Sequence, residues 1–216
     1  MPKKTLLPAF FNKEQLLSIK RATGIYVTLE DGLTYLDTTA GFTSHAILGW
    51  SQPSVLKAIA NQLERIPHID YKAFNDPNRE KLARILLKNV QHKLNQVFLV
   101  GSSGAEACEA ALKISFQSHF NSGNKSKSWF ISRNQSYHGA TNYAMALGDR
   151  PNLAFFNPIF PDRIAKIPEH NVFRHQKKNE TEIEYSARSA KNLEEKILEI
   201  GPENVAGFVA ETMLGG

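Results

Sequence analysis

The chain has 216 residues, enough for one substantial domain or one and a half, and its 42% hydrophobic and 22% charged residues exclude a disordered or fibrous protein. The net charge of +5 is scattered in short basic groups such as Lys3–Lys4, Lys125/Lys127 and Lys177–Lys178, so it reads as solvated surface and not as a nucleic-acid stripe. No apolar run approaches a membrane span.

In "MPKKTLLPAFFNKEQ" Pro8 interrupts the apolar residues and Asn12, Lys13 and Glu14 end them, which leaves no signal-peptide core. The single cysteine, Cys108, makes neither an intrachain disulfide nor a metal cluster and is read as a small buried helix residue. A cytoplasmic location is the expectation, with neither membrane nor nucleic acid as partner and no metal site.

"GIYVTLEDGLTYLDTTAG" predicts two strands about an Asp31–Gly32 turn. "PSVLKAIANQLERI" predicts an amphipathic helix with Val55, Ala58, Ile59, Leu63 and Ile66 on one face. A second helix is expected over "NDPNREKLARILLKNV", where Asp76 caps and Pro77 suits the first helical position. Strands then alternate with helices: "QVFLV" as strand, "GAEACEAALKISFQSHF" as helix, "SWFIS" as strand, "ATNYAMAL" as a short helix, "SARSAKNLEEKILEIG" as helix and "VAGFVAE" as strand. That alternation implies an α/β fold with a mostly parallel sheet covered by helices on both faces. Residues 151–179 are rich in Pro, Asn and charge and show no period, so they read as one long connection.

Ligands of open parallel sheets bind beyond the carboxyl ends of the strands, and three clusters are expected there. In "GSSGA", Ser103 and Glu106 have capping-box spacing, so Gly104 and Ala105 open a helix whose free N–H groups and dipole favour an anion. Glu106 argues against a phosphate unless its side chain turns away. The alternative is a capped helix that binds nothing. In "SRNQSYHGAT", Tyr137 offers a flat face to a planar heteroaromatic ligand, beside His138 and Gly139, although such a pair can also be packing. Glu211 follows the apolar strand "VAGFVA" and must be solvated or paired.

In this order the segments resemble the class III aminotransferases, or ω-transaminases, which use pyridoxal 5'-phosphate (PLP). "GIYVTLEDGLTYLD" resembles the family's N-terminal hairpin, "SSGAEACEAALK" its phosphate-binding turn and helix, "SYHGAT" its ring-stacking loop and "FVAET" the strand carrying its active-site glutamate. The resemblance implies a PLP-dependent transferase fold of type I, with residues 1–53 a hairpin-bearing part of the small domain and 54–216 a partial PLP-binding large domain. It implies that Ser103, Gly104 and Ala105 shape the phosphate cup, that Tyr137 stacks on the pyridine ring with His138 beside it, and that Glu211 lies near the ring's phenolic side. Ala105 keeps the N–H but lacks the hydroxyl that many relatives carry there. Trp50 and Gln52 in "LGWSQP" stand where relatives commonly carry histidines.

The implied reaction moves an amino group from an amine or amino acid to a keto acid or aldehyde, in a homodimer. The family's catalytic lysine, and the aspartate at the pyridine nitrogen, are expected beyond residue 216. The fold is therefore expected to be truncated before the end of the large domain, and the chain alone inactive, with no catalytic residue of its own. Two other readings stay open: an inactive relative serving as a binding or dimerisation partner, and a serine hydrolase. In the latter Ser103 would sit on a nucleophile elbow, with Asp149 or Asp162 and His170 or His175 behind it.

Overall fold

The computed structural model describes residues 17–41, 45–90, 94–101 and 103–214. The N-terminal leader, Ser102 of the "GSSGA" turn and Gly216 lie outside the described residues. Contacts divide the chain into two units, 1–89 and 90–216.

The first unit begins with an antiparallel meander, β1 (Ile19–Thr23), β2 (Tyr26–Leu29) and β3 (Thr34–Leu36), in the order β1-β2-β3. The expected hairpin is β2–β3. Gly32 takes a φ of 89° that favours glycine, and the Leu33 amide donates to Asp31 Oδ1 at 2.9 Å. The preceding strand β1, whose "IKRAT" alternates weakly, was not expected.

Helix α1 (Pro53–Arg65) starts with Pro53 and α2 (Pro77–Lys88) with Pro77, each where a missing N–H costs nothing. Asp76 caps α2 as expected, its carboxylate accepting from the Asn78 amide at 2.7 Å and pairing with Arg65 at 2.7 Å. The apolar stripe of α1 is not buried, since Val55, Ile59 and Leu63 are each about half exposed, so among the described residues the amphipathic face has no cover.

The second unit holds a parallel sheet in the order β5-β4-β6, formed by β4 (Trp129–Arg133), β5 (Ile164–Ile167) and β6 (Val205–Val209). The helices are α3 (Gly104–Asn121), α4 (Asn142–Leu147), α5 (Val172–His175) and α6 (Glu182–Ile200). In β4 the consecutive residues Phe130, Ile131 and Ser132 are all buried, which requires cover on both faces. Phe130 joins Leu112 of α3, Leu147 of α4 and Ala206 of β6 in one core cluster. Helix α6 packs along β4 and β5 and buries Tyr185.

Two expectations need correction. "QVFLV" forms no strand among the described residues, and Phe98 is 71% exposed. A β-prone run becomes a strand only with a ladder partner, and none is described beside it. The supposed long connection is structured: a 3-10 helix spans Pro151–Ile159, followed by β5 and α5. Strand β5 hides in the sequence because its four residues "IAKI" carry Lys166 at a half-buried position.

Candidate cofactor site at the carboxyl ends of the sheet

The capping box at the start of α3 is complete: the Glu106 amide donates to Ser103 Oγ at 3.2 Å and the Ser103 amide to Glu106 Oε2 at 3.3 Å. The Glu106 carboxylate thus turns back to the N-cap and does not line the hollow beside it. The Ala107 amide bonds Ser103 O at 3.2 Å, which leaves the N–H groups of Gly104 and Ala105 without a partner among the described residues. A Cβ built on Gly104 meets nothing within 4 Å, so this end of the helix is sterically open.

Gly104 and Ala105 line an open hollow of about 580 Å³, together with Ser103, Tyr137, His138 and Thr141. Five of the six residues singled out from sequence line it: Ser103, Gly104, Ala105, Tyr137 and His138. Glu211 joins from the end of β6, where its Oε2 accepts from the Tyr137 amide at 3.1 Å. Cys108 also lines the hollow, and burial, with Glu109 beside it, pushes its thiol pKa up.

The loop that carries Tyr137 is pinned from several sides. Ser136 Oγ is bonded to Arg133 O at 2.6 Å and to Leu147 O at 3.1 Å, and the Asp149 amide donates to Ser136 O at 3.0 Å. Lys166 donates to Ser132 Oγ at 2.9 Å and to the carbonyls of Leu147 and Gly148 at 2.6 Å each. Burial lowers the Lys166 pKa to about 8, against an opposing pull from Asp149. The Arg150 guanidinium lies 4.2 Å from the centroid of the Tyr137 ring. At Gly139, φ is 132° and a Cβ would fall 2.6 Å from Ala105 Cβ, so the loop backbone lies directly on the first turn of α3.

The surroundings of His138 disfavour its charged form. Burial lowers its pKa, which Glu211 partly opposes and Lys166 reinforces. Its Nε2 and the Thr141 hydroxyl are both buried without a hydrogen-bond partner among the described residues. Thr141, Arg150 and Lys166 were not anticipated from sequence.

The serine-hydrolase constellation does not assemble. Ser103 Oγ serves as the helix cap, His175 Nε2 bonds Glu169 at 2.7 Å, and His170 stacks on Tyr185 at 4.8 Å between centroids. Asp149 accepts instead from the Gln135 amide at 3.3 Å.

The sequence matches the family profile "Aminotransferase class-III" over residues 10–216. This chain belongs to the class III aminotransferases. An uncharacterized aminotransferase of Schizosaccharomyces pombe is 35% identical over 199 residues, which are 92% of this chain and 43% of that protein. The mitochondrial gamma-aminobutyrate transaminase 1 of Oryza sativa subsp. japonica is 33% identical over 201 residues, 92% of this chain and 39% of its own. Among solved structures, the omega transaminase of Pseudomonas jessenii in complex with PMP superposes with a TM-score of 0.85 at 29% identity, over 93% of this chain and 44% of that one. The class III chain described here thus spans about two-fifths of the length of the relatives it matches. Its architecture is that of the ω-transaminases, α/β with a parallel sheet and helices. Among the described residues no helix is long and apolar enough to cross a membrane, and no His, Cys, Asp or Glu cluster suits a metal.

Proposed function

We propose that this chain carries the PLP-binding part of an aminotransferase that moves an amino group from an amine or amino acid to a keto acid or aldehyde. The observation that carries the reading is the hollow itself. Among the described residues it gathers two N–H groups without a partner at a helix start, an aromatic face and two buried polar atoms without partners. A phosphate monoester on a planar ring suits that set, because the amides and helix dipole take the anion and Tyr137 takes the ring.

The amides of Gly104 and Ala105 hold the phosphate, with Ser103 fixing the turn. Tyr137 stacks on the ring, and Arg150 backs the tyrosine. Glu211 fixes the Tyr137 backbone, and His138 stands beside the ring. When bound, PLP supplies the electron sink that makes the proton next to the amine nitrogen removable. The lysine that moves this proton belongs, on this reading, to sequence beyond residue 216, and so does the completed large domain. Division at residue 53/54 into a small-domain segment and a large-domain part, assembly as a homodimer and a reducing, cytoplasmic compartment belong to the same proposal.

The test joins this chain to the part of the Schizosaccharomyces pombe relative that follows its matched region. Amino transfer is then measured from a panel of amines and amino acids to keto acids. Transfer that requires added PLP and falls at least tenfold in Tyr137→Ala is expected. A folded, PLP-loaded hybrid that transfers from no donor counts against the proposal. No observation favours a purely binding role.

A further inference from the structure

We propose that Thr141 is a phosphate ligand of this hollow, supplying the hydroxyl that Ala105 cannot; the inference rests on the PLP reading above. Thr141 is the N-cap of α4, yet its side chain makes no cap bond to its own helix. Its Oγ1 is shielded from solvent and has no partner among the described residues. A buried hydroxyl left without a partner costs about 1–3 kcal/mol, so an oxygen in this position needs a group that completes it.

The placement of Thr141 is fixed. The Tyr143 amide, in the first turn of α4, donates to Glu109 Oε1 of α3 at 3.3 Å. On the other side, the backbone at Gly139 rests on Ala105. These two ties bring Thr141 to the wall of the hollow that Gly104 and Ala105 open. Two amides satisfy only part of a phosphate, whose three terminal oxygens take several donors, and a threonine hydroxyl is a neutral donor of suitable size. Oγ1 is shielded in the rotamer seen here, and the bound anion is what selects the rotamer that faces it: a 120° step in χ1 carries the oxygen to the place of the methyl or of the hydrogen.

Valine has the same shape as threonine and lacks only the hydroxyl, which gives a test with two opposite signs. On the full 216-residue chain, Tm without ligand is measured together with Kd for pyridoxamine 5'-phosphate (PMP) and for pyridoxamine, which has no phosphate. Thr141→Val is expected to keep or raise Tm, because an unsatisfied buried oxygen is removed. It is also expected to weaken PMP binding about tenfold, the loss of one hydrogen bond to a charged group, and to leave pyridoxamine unchanged. Thr141→Ser should restore PMP affinity, and Thr141→Ala repeats the comparison should valine disturb the fold. A lower Tm with unchanged PMP affinity would show a structural hydroxyl and overturn the inference, as would an equal loss for both ligands. A parent chain that binds neither PMP nor inorganic phosphate overturns the PLP reading and the inference together. PMP binding that is indifferent to residue 141 overturns the inference alone.

Discussion

The backbone amide of Tyr137 donates to the side-chain carboxylate of Glu211 at 3.1 Å, a bond that joins the loop after β4 to the end of β6 across 74 residues of sequence. The Arg133 guanidinium adds a second tie, donating to the Glu211 carbonyl at 3.3 Å. Glu211 therefore sets where the tyrosine begins, and the aromatic face above the hollow depends on a carboxylate contributed by another strand. Hydrogen bonds to charged groups contribute about 1.5–3 kcal/mol, and this one, with Tyr137 44% exposed, belongs at the lower end. Glu211→Ala is expected to weaken PMP binding about tenfold, and Glu211→Gln, which keeps an acceptor, by about threefold or less. Titration of PMP fluorescence against each variant checks it; equal affinities for Ala and the parent would remove Glu211 from the site.

Gly139 is expected to tolerate no side chain. With φ at 132° and a Cβ that would lie 2.8 Å from Ala105 Cα, alanine there must lift the loop from α3. Strain of this kind costs about 1–3 kcal/mol, and lifting the loop also moves Tyr137 and Thr141 away from the amides. Thermal unfolding should show a clear drop in Tm for Gly139→Ala, and PMP affinity should fall with it. Gly104→Ala, where a Cβ meets open space, is the control and should hold or raise Tm.

The pH dependence of stability has one contribution from His138. Burial holds its pKa below the ordinary 6.5, so between that value and the folded-state pKa the unfolded chain binds more protons than the folded one. Stability is fully present above about pH 6.5 and is lost as pH falls through the folded pKa of the histidine. The carboxylates of Asp37 and Glu180 are held down to about 2 by their hydrogen bonds, so their losses come only at more acid pH. Tm measured between pH 7 and pH 5 should fall in the parent and fall less in His138→Asn. Parallel curves would show that the fold does not disfavour the charged ring.

The most legible parts of the sequence are those in which one residue solves a local problem. Ser103 and Glu106 announce a helix start three residues apart, Asp76–Pro77 does the same, and Asp31–Gly32 marks a turn; each bond forms within a few residues. What hides is decided at long range. Strand β5 carries Lys166, a charge tolerated in a covered sheet because Ser132, Leu147 and Gly148, all distant in sequence, accept its three protons. "QVFLV" has strand composition, but a ladder needs a partner that its own letters do not contain. Thr141 gives no signal at all, since its hydroxyl is distinguished only by having no partner among the described residues.

The central claim is that the start of α3 and the loop at Tyr137 form one phosphate-and-ring site, and the most direct test is equilibrium binding of PMP to the parent chain and to Gly104→Asp. Aspartate at the first position of a helix suits the dipole, and a Cβ at residue 104 meets nothing, so the variant should unfold at the parent's Tm or above it. Its carboxylate nevertheless stands at the two amides where the anion must come, and repels it. The account predicts saturable binding of one PMP per chain in the parent and none in Gly104→Asp at unchanged Tm. PMP bound equally by both proteins would contradict it.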